Sequence, residues 1–133
     1  MRRVFGIAGL VGLILVAMAW PGFGQDVYYK KTGSLTATNA SCTATACVNM
    51  PVSAQTGSVA VQVAGTFVAT VAFEASVDGT NFSAVAASPV GGGAAVTTAT
   101  SGGIWRIGAG GYQAVRARVS AFTSGTAAVT LVR

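Results

Sequence analysis

Side chains able to do chemistry are few in this 133-residue chain, and their types limit what can be built from them. There is no histidine, and three carboxylates (Asp26, Glu74 and Asp78) stand against eight Lys and Arg. General acid–base catalysis relies most often on His or on carboxylates held close together. Metal centres need several His, Cys or carboxylate ligands. The inventory is too poor for most hydrolases, metalloenzymes and phosphoryl-transfer enzymes. The sequence therefore predicts no enzyme, no cofactor and no metal site.

The two cysteines, Cys42 and Cys47, lie close together in a Ser/Thr/Ala/Asn-rich stretch. In an exported chain an even count favours a disulfide over two free thiols. The loop it closes is short, so its stabilisation falls near the low end, about 2 kcal/mol. It is expected to pin the tip of a hairpin. Asp78-Gly79 is a tight-turn signal, with Asp78 accepting turn N–H groups and Gly79 supplying a positive φ. A calcium site on Asp78 and Asn81 would need further oxygen ligands that the surrounding residues do not offer.

The remaining candidates form a binding surface of Trp105, Arg106, Tyr112, Arg116 and Arg118. An exposed aromatic beside polar groups can stack on a sugar ring, and paired guanidinium groups can hold an acidic surface. Strand alternation sets limits on this. Ile104 and Arg106 share one face and Trp105 shares the other with Ile107, so Arg106 reaches water and Trp105 is expected to be buried. Arg116 and Arg118, two apart, point outward together, either as a solvated face or as a contact pair. Tyr28, Tyr29, Lys30 and Lys31 read as a docking arm or as a disordered or edge-pairing terminus. The net charge of +5 is spread without a run of bases, which argues against nucleic acid as a partner.

The elements that must carry these residues are strands. Short Thr/Val/Ala runs broken by Gly, Ser, Asn and Asp recur every 8–12 residues or so, and no window repeats near 3.6. The expected strands are Leu35–Thr38 and Val48–Val52 around the cysteine turn, Ser58–Val63, Phe67–Ser76, Phe82–Ala86, Ala95–Thr100, Ile104–Ile107, Gln113–Ala121 and Ala127–Val132. Val, Ala, Phe67, Phe73 and Phe82 are the expected core. This predicts an all-β, antiparallel two-sheet sandwich over residues 25–133, with jelly-roll and immunoglobulin-like strand orders equally compatible.

Ahead of it, residues 1–24 read as a hydrophobic leader helix. Arg2 and Arg3 precede an uncharged run from Val4 to Trp20, with small-residue cleavage patterns at Ala17-Met18-Ala19 and Gly22-Phe23-Gly24. The leader is expected to be a cleaved signal peptide, with an uncleaved anchor as the alternative and the only expected membrane contact. The protein is accordingly expected to be secreted, periplasmic or on a cell surface, or associated with a virion.

From about Gly33 onward the chain resembles small β-sandwich modules of bacteriophage and prophage tail and other virion proteins. The resemblance rests on Gly57–Val63, Gly65-Thr66-Phe67, Phe73–Phe82, Gly103–Arg106, Val115–Val119 and Thr123–Thr126. It implies a structural or surface-binding module without catalysis, partnered by copies of itself or by other surface or virion proteins. The alternative expectation is a carbohydrate-binding module that recognises surface polysaccharide.

Overall fold

A computed structural model describes residues 28–39 and 41–133, so the expected leader lies outside the described residues. Every regular element described is a strand: β1 (Lys30–Leu35), β2 (Cys47–Pro51), β3 (Ser58–Ala64), β4 (Phe67–Ser76), β5 (Ser83–Ala84), β6 (Ser88–Pro89), β7 (Thr98–Ala99), β8 (Gly103–Gly108), β9 (Ala114–Gly125) and β10 (Ala127–Val132). They form two antiparallel sheets. The first has the order β1-β10-β3-β8-β6 and the second β2-β9-β4-β5, with β7 also on β4.

One bent ribbon supplies the central pair of both sheets. β3 passes into β4 through Gly65-Thr66, and β9 passes into β10 through Thr126. The pairing runs unshifted across this corner, from Ala60↔Val132 to Val68↔Ser124. At the bend the Thr126 N–H donates to the Thr66 carbonyl at 3.0 Å. Gly65 and Gly125 both take positive φ, 98° and 88°. A Cβ on Gly125 would collide with the Thr66 carbonyl oxygen, so only glycine lets the two chains cross this closely. Register shifts at Val68/Ala69 and Thr70/Val71 give β9 two extra residues, Thr123 and Ser120. Such bulges bend a strand and sharpen its twist next to a corner.

The inward residues alternate as the two-residue period requires. Val59, Val61 and Val63 of β3 face Val71 and Phe73 of β4 and Val115 and Val119 of β9, with Met50, Ile107 and Leu131 completing the core. Each buried aliphatic contributes about 1.5–3 kcal/mol. Phe73 and Trp105 meet between the layers, ring centroids 5.4 Å apart and planes tilted by 48°. Gly103 makes room for that indole, since a Cβ there would come within 2.8 Å of it.

The structure corrects several expected elements. β1 begins at Lys30 instead of Leu35, so Lys30 and Lys31 belong to a paired edge strand. The cysteine stretch does not close a hairpin. β1 pairs with β10 and β2 pairs with β9, in different sheets, and the chain between them crosses from one layer to the other. The expected strands at 82–86 and 95–100 shrink to Ser83–Ala84 and Thr98–Ala99, because each finds only a two-residue stretch of β4 to pair with. β6 was not expected at all.

Candidate functional site

The five residues of the expected binding surface do not come together. Trp105 and Arg106 are neighbours on β8 but point to opposite sides of the first sheet. Trp105 is only 8% exposed, so its ring offers no platform for a sugar. Arg106 projects from the outer face. Arg116 and Arg118 lie on the outer face of the second sheet, across the sandwich from Arg106. Tyr112, in the β8–β9 link, is half-buried against the core.

Arg116 and Arg118 are neither a solvated pair nor a free contact pair. Glu74 sits opposite Arg116 on β4, and Arg118 is one pair further along the same face. Arg116 Nε donates to Glu74 Oε2 at 2.5 Å, and Arg118 Nη2 donates to Glu74 Oε1 at 2.7 Å. Phe82 was expected in the core. It folds instead over this outer face, its ring 3.9 Å below the Arg116 guanidinium. Burial alone would raise the pKa of Glu74, but hydrogen bonds from Arg118 and Arg116, with their charges, outweigh it. The carboxyl is held below its ordinary value. This cluster is a structural clasp joining β4, β9 and the β4–β5 turn.

The second described carboxylate is also committed locally. Asp78 Oδ1 accepts from Asn81 N at 2.7 Å, Thr80 N at 2.8 Å and Ser76 Oγ at 2.9 Å, while Oδ2 accepts from Asn81 Nδ2 at 2.7 Å. These bonds, those from the Asn81 and Thr80 amides first, hold its pKa well below the carboxylate range. Gly79 takes a φ of 77° in the same turn. Cys42 and Cys47 are joined as a disulfide, their Cα atoms 5.0 Å apart. The bond closes the interlayer connection just where β2 begins. There the Ala46 carbonyl accepts from Val119 N at 2.8 Å and so docks the loop on β9.

The concave feature that sequence reasoning missed lies on the outer face of the first sheet. The register places Lys30, Val132, Ala60, Arg106 and Ser88 in one cross-strand row. Cross-strand partners share a face, so the small Ala60 and Val132 form a floor between two cationic side chains. The segment between β2 and β3 (Ser53 to Gly57) and the Tyr28 side chain raise walls around it, leaving a groove of about 660 Å³ that Arg106 and Arg133 also line. Tyr28 is 70% exposed. Arg133 Nη1 donates to Thr56 Oγ1 at 3.4 Å, and its guanidinium lies 5.1 Å from the Tyr29 ring. In sequence, Arg106, Arg133 and Tyr28 are too far apart for spacing to reveal the groove. Only the pairing of β8, β3, β10 and β1 brings them together. Among the described residues no group of three metal-ligating side chains occurs.

No protein-family model matches this chain, and no curated protein matches it in sequence. Among solved structures, the fold is similar to that of the SPBc2 prophage-derived protein YomS. The likeness has a TM-score of 0.60 at 14% sequence identity and covers 80% of this chain and 94% of that one. At that identity what is shared is the fold: an all-β, two-sheet architecture that also occurs in a phage-derived protein.

Proposed function

We propose that this protein is a non-catalytic structural and interaction module, exported by its leader and acting by assembly or surface attachment on a cell envelope or a virion. The observation that carries the reading is the open edge of β1. Tyr29 and Arg133 exchange both backbone hydrogen bonds, at 3.1 and 3.0 Å. Antiparallel pairing alternates from there, so the N–H and C=O groups of Lys30, Thr32 and Ser34 point away from β10. An edge of this kind accepts a further strand, whether from another copy or from a partner. The likeness in fold to a prophage-derived protein and the commitment of Glu74 and Asp78 to internal contacts support the same reading. Light scattering over a range of concentrations tests it. A defined oligomer that dissociates when Thr32→Pro removes one edge N–H is the expected outcome. A monomer at every concentration, together with turnover of any substrate, would refute the reading.

A further inference from the structure

The outer groove of the first sheet has a composition that specifies a ligand class. Among the described residues, the ion pairs are those of Glu74 with Arg116 and Arg118, so neither Arg106 nor Arg133 has a carboxylate partner among them. Arg106 and Arg133 both line this groove, together with Ser53, Gln55, Thr56, Ser58 and Tyr28. Arg133 is also steadied, by Thr56 on one side and the face of Tyr29 on the other. A planar donor fork held in this way is suited to bidentate recognition of a carboxylate or similar oxyanion.

We infer that this groove binds an acidic glycan: Arg106 and Arg133 hold the anionic groups of successive sugars, the hydroxyl and amide side chains take the ring hydroxyls, and Tyr28 covers an apolar sugar face. The inference rests on the contact-module reading above and names the ligand class of one of its surfaces. Sugar fits better than nucleic acid. The groove and its flank carry three separate cations, Arg106, Arg133 and Lys30, among neutral donors instead of a continuous basic track, and a lone exposed aromatic suits a sugar ring better than a run of stacked bases. The floor of Ala60 and Val132 is shallow and apolar, leaving space for a ring to lie flat between the cations.

Affinity electrophoresis of the full chain through polygalacturonate at about 20 mM salt, where exposed charges are weakly screened, provides the test. Neutral dextran and duplex DNA serve as parallel matrices. The expected result is retardation by polygalacturonate alone. Arg106→Gln and Arg133→Gln should each weaken it by about tenfold, the size of one lost charge-assisted hydrogen bond. Tyr28→Ala should weaken it by a smaller factor. Lys31→Gln removes the same charge outside the groove and should leave retardation almost unchanged. No retardation by polygalacturonate would overturn the inference, as would equal weakening by Lys31→Gln or equal retardation by DNA. Arg106 is exposed, so its variant should keep the fold, which an unchanged far-UV circular dichroism spectrum and melting temperature verify. Light scattering on the same samples reports on assembly separately, so a failed groove and a failed contact-module reading give different results.

Discussion

Glu74 is the one charged side chain that is buried among the described residues, and its two arginine partners keep 14% and 22% of their side-chain surface. Replacing the carboxylate by an amide would leave two clustered cations beside Phe82 with one neutral acceptor oxygen in place of two charged ones. Glu74→Gln should therefore cost about 2 kcal/mol at neutral pH, measured by urea unfolding, because a lost charge-assisted bond leaves its partners poorly satisfied. The pH dependence follows from the direction of the shift. Glu74 has a lower pKa folded than unfolded, so its contribution is complete above the ordinary carboxylate range and fades as pH falls through the folded value. The gap between the native protein and Glu74→Gln should accordingly close below about pH 4. The alternation of β9 revealed that Arg116 and Arg118 share a face. That Glu74 lies opposite was not legible, since it depends on the register of two strands some forty residues apart.

Corners and crossings decide the architecture at the level of elements. Gly125→Ala places a methyl group against the Thr66 carbonyl and forces a positive φ on a residue that resists it. It should destabilise the protein by at least about 2 kcal/mol. Gly57→Ala, where nothing lies within 4 Å, should stay within about 0.5 kcal/mol, and thermal melts of the two variants check the contrast. The disulfide acts on an element as well. Because it closes the connection between layers, reduction should lower stability by about 2 kcal/mol. It should also speed amide exchange at Val119, whose acceptor Ala46 sits inside the loop. A melt with and without dithiothreitol checks the first effect, and exchange monitored by NMR checks the second. The strands β3, β4 and β10 were readable from alternation almost to the residue. β5 and β7 were read as strands but too long, and β6 was not read, because two-residue strands carry no period and their extent is set by the partner beside them.

At the scale of the molecule, the folded ribbon of β3–β4 against β9–β10 is, among the described residues, the element shared by both sheets. Its amides should be the last to exchange with solvent, with β1, β5, β6 and β7 exchanging first as edges. Hydrogen exchange followed by mass spectrometry would show this as slow peptides across 58–76 and 114–132. If protection were equal in β1, the two sheets would be coupled by something other than the ribbon.

The sequence by itself determined the class of this protein. Period-two alternation and turn residues are local properties, and they sufficed to indicate an all-β domain, the inward face of Trp105 and the Asp78 turn. Only the tertiary structure decided which strands are neighbours. Neighbourhood alone sent the cysteine loop between layers, placed Arg106 and Arg116 on opposite sides, paired Glu74 with two arginines and assembled a groove from Tyr28, Arg106 and Arg133. The physical reason is that alternation fixes which way a side chain points but carries no information about which strand will lie beside it. Pairing is settled by how the two sheets close over a common core.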